Sequence, residues 1–488
     1  MHIQISSAPT IPFSAARAVV RELRKARRLD DDVAVYLRPV THSLPEGEFS
    51  LSDSQTPGDQ LRFYTRPRVL RGWRYVGRAL ATDAEPLSID CRGIMGPQDR
   101  EFLDALRAGG LVVDIVETPA SHEHRGEDAR FARVLGAVAD DDAETVADEL
   151  DRLLATGDSW TALSIATAYD NAHEVSTARL ATSMGLAFGL QSENEQSERM
   201  FRLWERSGGI EAARAQYSLA MLYARHHDPA RLKMSRAREY LEAAYETLHE
   251  LPESRAVRYE RIFNRNGFAL LLFREGSFAE AAALLEAGVE ELSSSSWSGQ
   301  IHHTVLLNNL GRVYAAMGRE VDAIASLREA VEFDPRFAEY RQDLASQLAD
   351  AGRVREAYEE ALVARSLDPA VPEIHELTGY LAEQLGLLDD ARASYATAWD
   401  LGHSSAGLSL ARLLSDQESY GELTAVIDEI AGAQSKSDDR VEAEILRLEA
   451  RSMLDGSVDV RDGLRRLLAD YPDSALLAEN LVMLEDSA

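Results

Sequence analysis

A chain of 488 residues exceeds what one compact core usually supports, so at least two structural units are expected. Hydrophobic residues make up 45% and charged residues 27%, ordinary values for a globular protein, and no stretch approaches the roughly 20 consecutive apolar residues of a membrane-spanning helix. The net charge of −30 is uneven: residues 1–78 carry 13 Lys and Arg against 8 Asp and Glu, leaving 39 against 74 for residues 79–488.

So acidic a body repels nucleic acid and anionic membrane and favours basic partners, although acidic solvent faces also simply keep a large helical protein soluble. A single cysteine, Cys91, excludes an internal disulfide, and Met1–Thr10 lacks the basic start and apolar run of a secretory signal, so a cytoplasmic location is expected. Lysine occurs only at Lys25, Lys233 and Lys436, which suggests a GC-rich bacterial genome.

Residues 1–135 read as a small mixed α/β domain. Short β-favouring runs (His2–Ile5, Val33–Leu37, Leu61–Tyr64, Leu87–Asp90, Leu111–Val116) alternate with helices predicted over Ser14–Arg28 and Pro97–Ala108. Pro45–Asp59 reads as a loop with a hairpin, and Ser121–Asp128 as the junction to a helical part spanning 136–486. Arg62, Arg66, Arg68, Arg71, Arg74 and Arg78 interleave with Phe63, Tyr64, Trp73 and Tyr75, beside a basic helix with Arg17, Arg21, Arg24, Lys25 and Arg28. Such interleaving suits nucleic acid, phosphorylated ligands or sugars; alternatively the aromatics form core and the arginines pair with acidic residues of the same molecule.

Apolar helical runs without a clear consensus fill 143–206. From Ile301 to Pro335 a stricter pattern appears. Leu310, Gly311 and Tyr314 share one face of a first helix, Gly318 marks a turn, Ala323, Leu327 and Ala330 share a face of a second helix, and Pro335 closes the unit. A shift of 34 residues brings Leu344, Ala345, Leu348, Gly352, Ala357, Ala361, Ala364 and Pro369 into the same places; a second shift brings Gly379, Ala382, Gly386, Ala391, Tyr395 and Ala398. Upstream, Ala269, Leu272, Gly276, Ala281, Leu285 and Gly288 fit, with a Ser-rich insertion around Ser293–Ser296, and Leu219, Ala220, Tyr223, Ala237, Leu241 and Ala244 form a unit with a longer turn. Residues 405–486 supply about four more helices.

This helix–turn–helix period, with small and large residues alternating at the helix contact, resembles tetratricopeptide repeats, firmly over 211–403 and loosely over 140–486. The expected fold class is therefore mainly α: a repeat solenoid with a small N-terminal α/β domain. A separate, fainter resemblance covers about residues 14–72, where a helix, short strands and a Thr-Pro-Gly turn are similar to the opening of right-handed β-helix carbohydrate-active proteins; it implies a partial cap rather than a glycosidase.

The tetratricopeptide resemblance implies a concave groove lined by first helices, which binds a protein or peptide. By repeat register the groove positions are Asn266, Arg274, Asn308, Arg312, Gln342, Ser346, Glu376, Tyr380 and Glu383, each of which also fits an ordinary solvated helix position. Some relatives hold acidic tails through a Lys, Arg and Asn clamp; Gln342, Glu376 and Glu383 depart from it, so a basic or neutral peptide is expected. His42 and Cys91 lie at a spacing compatible with a thiol protease dyad, but no motif surrounds them, and a buried core cysteine fits equally. The histidines at 122 and 124, 226 and 227, and 302 and 303 lack metal-binding spacing, and neither a phosphate-binding glycine loop nor a nucleophile elbow occurs, so no metal or cofactor is expected. The leading expectation is an intracellular interaction adaptor or scaffold; the alternative is an enzymatic or ligand-sensing N-terminal domain, regulated or targeted by the repeats.

Overall fold

The computed structural model describes residues 1–7, 11–26, 28–29, 31–42, 50–51, 65–81, 86–118, 129–294, 300–432, 437–456 and 458–486. Its residues form two compact units, Met1–Asp343 and Leu344–Ala488.

In the first unit, β1 (His2–Ser6), β2 (Leu87–Arg92) and β3 (Val113–Thr118) pair in parallel in the order β1-β2-β3, with Ile3 beside Ile89 and Ile89 beside Ile115. Parallel strands require crossover segments. Here α1 (Ser14–Lys25) and α2 (Arg66–Ala81) lie between β1 and β2, and α3 (Pro97–Ala108) lies between β2 and β3. Helices α2 and α3 approach so closely that a Cβ on Gly77 would stand 2.1 Å from the Leu106 carbonyl oxygen. Trp73 sits fully buried at the centre, edge-on to Phe13 (5.6 Å) and Phe102 (5.2 Å).

Two expectations for this layer are corrected. Val33–Leu37 is not a strand: Asp31–Ala34, Val35–Leu37 and Arg38–Thr41 are successive helical turns, because Val33, Leu37 and Val40 bury at the helical interval of four and three. The resemblance to a β-helix start does not extend past its opening helix, since residues 31–41 and 66–81 are helical where it implies strands. The expected hairpin at Pro45–Asp59, strand Leu61–Tyr64 and junction Ser121–Asp128 lie outside the described residues, apart from Ser50 and Leu51.

The helical array begins with α4 (Ala129–Ala139), α5 (Ala143–Ala155) and α6 (Ser159–Ala172). Trp160 of α6 is built into the α/β core: its ring lies 4.9 Å from Trp73, and its Nε1 donates to Glu101 Oε2 at 2.7 Å. Arg38 Nη2 donates to the Ala155 carbonyl at 2.6 Å, and His42 Nε2 lies 2.7 Å from Asp158 Oδ2. Antiparallel pairs follow: α7 (Ala178–Leu190) with α8 (Asn194–Glu205), α9 (Gly209–Met221) with α10 (Met234–Glu250), α11 (Arg255–Arg274) with α12 (Phe278–Ser293), and α13 (Ile301–Ala316) with α14 (Glu320–Phe333). The long turn of the α9–α10 pair is a wider helical winding at Leu222–His226.

Helix α15 (Ala338–Asp350) carries the chain into the second unit, where α16 (Val354–Leu367), the pair α17 (Pro372–Gln384) and α18 (Leu388–Asp400), then α19 (Ser404–Asp416), α20 (Tyr420–Gly432), α21 (Ser437–Asp455), α22 (Val460–Asp470) and α23 (Ala475–Asp486) follow. Among the described residues, 404–486 thus hold five helices, one more than expected. Gly318, Gly352 and Gly386, 34 residues apart, each have φ near +72° (71°, 71° and 73°), the left-handed conformation that ends a first helix and only glycine adopts without strain. Gly311 and Gly379 admit their partner helices: an added Cβ would lie 2.6 Å from Leu327 Cγ and 2.7 Å from Tyr395 Cδ1. The architecture is a tetratricopeptide-like array, mainly α with a small parallel sheet at the N-terminus.

Candidate partner-binding groove

Within Met1–Asp343 the first helices α7, α9, α11 and α13 and the start of α15, together with Ser197, Phe201 and Trp204 of the second helix α8, line one cavity of about 910 Å³. Their contributions recur every three or four residues, as one face of a helix must. From α11 come Tyr259, Phe263, Asn266 and Leu270; from α13 His302, Val305, Asn308, Asn309 and Arg312; from α9 Arg214, Tyr217, Ser218 and Met221.

Two textures share the wall. One is aromatic: the Tyr217 and Phe263 rings lie 4.4 Å apart, Phe263 and His302 4.4 Å, and His302 and Tyr259 4.7 Å. The other is polar. Arg214 donates from Nε to Glu260 Oε1 (2.7 Å) and from Nη1 to Glu211 Oε1 (2.8 Å). Burial pushes the Glu260 carboxyl above its ordinary value although Arg214 pulls the other way. Asn309 Nδ2 donates to Asn266 Oδ1 (2.7 Å) and Asn308 Nδ2 to Asp343 Oδ2 (3.0 Å). Burial also raises the Asp343 carboxyl, with Arg312 and Asn308 opposing and Glu339 reinforcing the shift. The Asn308 Oδ1 has no hydrogen-bond partner, and Arg312, exposed, makes no hydrogen bond or ion pair among the described residues. Such a wall offers acceptors to N–H donors and cations, a guanidinium to a carbonyl, and flat rings to apolar or cationic side chains.

The structure gathers Asn266, Asn308, Arg312 and Gln342 around this cavity. Arg274 is not on its wall; its guanidinium donates to the Ala224 carbonyl. In the second unit Glu376 accepts from His403 Nε2 and Ser405 Oγ, both at 2.7 Å, Glu383 accepts from the Tyr395 hydroxyl at 2.8 Å, Ser346 is half-buried, and Tyr380 stands exposed. Sequence reasoning missed the aromatic wall and the half-buried carboxylates Glu260 and Asp343. Their signal was present, since Tyr259 and Phe263 precede Asn266 by two turns and one on the same face.

The arginine–aromatic segment of the N-terminal layer is helix α2, with Trp73 in the core, Arg66 paired with Glu101 and Arg68 paired with Glu339; positions 62–64 lie outside the described residues. His42 and Cys91 are engaged separately: His42 with Asp158, and the Cys91 thiol with Ser7. Burial, then Glu117, push that thiol up to about 11, the opposite of an activated nucleophile.

No family model and no curated protein matches the chain. Among solved structures, PilF of Pseudomonas aeruginosa is similar at 20% identity over 46% of this chain and 99% of that one, with a TM-score of 0.38. A Thermus thermophilus tetratricopeptide protein, TTC0263, shares 20% identity over 40% of this chain and 98% of its own, TM-score 0.29. MamA of Desulfovibrio magneticus shares 14% over 35% and 93%, TM-score 0.30. No helix of the described residues is long and apolar enough to cross a membrane.

Proposed function

We propose that this chain is an intracellular interaction adaptor or scaffold whose groove binds an extended segment of a partner protein, basic or neutral rather than acidic, without membrane or nucleic acid. The observation that carries this reading is the cavity of about 910 Å³ whose wall combines amide side chains, tilted aromatic rings and half-buried carboxylates on successive first helices. Asn266, Asn308, Arg312 and Gln342 hold the segment's backbone; Glu260 and Asp343, both raised by burial, favour donors and cations over anions. The second-unit positions Ser346, Glu376, Tyr380 and Glu383 are contacts of that unit's own first helices with a partner, and Arg274 holds the backbone of its own unit. Residues 1–135 act as a domain that adds a second contact.

The test is recovery of partners from native lysate, followed by titration of tiled peptides from the recovered protein. One peptide is expected to bind the full chain and to lose more than tenfold in affinity against Asn308→Ala with Arg312→Ala. Equal affinity for both chains would place the contact outside Asn308 and Arg312.

A further inference from the structure

The N-terminal layer touches the array at two distant places, α5–α6 through Asp158 and Trp160, and the corner between α14 and α15. At that corner Ser50 Oγ and the Leu51 N–H both donate to the buried Asp334 Oδ2, at 2.8 and 3.0 Å. Arg68, in the first turn of α2, donates from Nη1 to Glu339 Oε1 at 2.6 Å, and its guanidinium lies over the Phe337 ring, 6.0 Å from the centroid. Phe337, Glu339 and Thr65 belong to the wall of the groove. An aromatic face beside a carboxylate is the chemistry that receives a guanidinium, and here the chain supplies its own.

We propose that Phe337 and Glu339 form an arginine subsite of the groove, occupied in this state by the chain's own Arg68, and that an arginine side chain of the partner displaces Arg68 and releases the clasp. The proposal rests on the groove reading above. Arginine suits the subsite better than lysine because a planar fork can pair with the carboxylate while stacking on the ring. Asp343, one turn beyond Glu339, adds a second carboxylate at this end of the cavity, so the subsite favours cations even while one is exchanged for another. Glu339 is 41% exposed, which leaves it reachable from the groove. Because Arg68 is tethered, it competes at high effective concentration, so its removal raises affinity for a cationic ligand.

The probe is a fluorescein-labelled, acetylated hexapeptide amide carrying one arginine, with a twin in which neutral citrulline replaces it. Anisotropy is measured on the full chain, and circular dichroism confirms that each variant is folded. The arginine peptide is expected to bind more tightly than its twin. Arg68→Ala should raise its affinity roughly threefold to fivefold, the scale of one partly exposed ion pair, and leave the twin unchanged. Glu339→Gln should reduce the discrimination, leaving only what Asp343 supplies. In the native chain, saturating arginine peptide should speed hydrogen exchange at the Leu51 amide, which is bonded to Asp334, and the twin should not. Unchanged or lower affinity in Arg68→Ala, or discrimination undiminished in Glu339→Gln, overturns the proposal. So does failure of the arginine peptide to bind any form, while the groove reading is judged independently by the Asn308 and Arg312 variants against the recovered partner.

Discussion

Replacing Trp160 by alanine tests whether the α/β layer and the start of the repeat array share one core. The ring is 4% exposed, tilted against Trp73 at 4.9 Å, with Phe13 at 6.1 Å, and its N–H is held by Glu101. Truncating a buried tryptophan costs about 3–5 kcal/mol. The lost hydrogen bond adds about 1 kcal/mol, and Glu101 retains Arg66, so no carboxylate is stranded. The expected loss is about 4–6 kcal/mol, which at a urea slope of about 2 kcal/mol/M moves the midpoint of this unit down by about 2–3 M. Urea titration followed by far-ultraviolet circular dichroism reads the array, and accessibility of Cys91 to a thiol reagent reads the α/β layer. Both should shift together. A change below about 1 kcal/mol, or a shift in one probe alone, would show that Trp160 merely rests on the layer and would refute the shared core.

Gly311→Val, with a Cβ 2.6 Å from Leu327 Cγ and 3.2 Å from the Ala323 carbonyl oxygen, should destabilise the α13–α14 pair by about 1–3 kcal/mol in thermal unfolding. Cys91, with its thiol at about 11 against an ordinary value of about 8.5, should alkylate at pH 8 at least a hundredfold more slowly in the folded chain than in urea. Hydrogen bonds from His403 and then Ser405 hold the Glu376 carboxyl below its ordinary value, although burial opposes them. A folded value below the unfolded one contributes stability above the unfolded value that is lost as pH falls through the folded one. Glu376→Gln should therefore cost about 1 kcal/mol at pH 7 and progressively less below about pH 4, read as the difference between melting curves.

The repeat core was legible because it is local. Gly318, Gly352 and Gly386 recur at one interval, and each sits in a backbone conformation that its residue type announces. The three strands of the sheet were legible from β-favouring runs at 2–5, 87–90 and 111–116. Helix α2 was not, because alternating arginines and aromatics drew attention away from Val69, Trp73, Val76 and Leu80, which bury at intervals of four, three and four. Val33–Leu37 misled in the same way, its β-branched residues outweighing a helical spacing. Four of the nine positions taken from repeat register, Asn266, Asn308, Arg312 and Gln342, line the cavity. The rest depends on which helices face one cavity, and α7 comes from a stretch without consensus. The clasp was invisible for a different reason: Arg68 and Glu339 are 271 residues apart, and no periodicity links them.

The central claim is that a partner occupies the groove lined by the first helices, and site-specific photocrosslinking tests it most directly. A benzophenone amino acid is placed at Phe263 on the cavity wall, and separately at Val321, which is 81% exposed on second helix α14. The account predicts that the recovered partner crosslinks from position 263 through one short peptide and does not crosslink from position 321. Crosslinking from 321 with none from 263 would contradict it and move the interaction to the second-helix face.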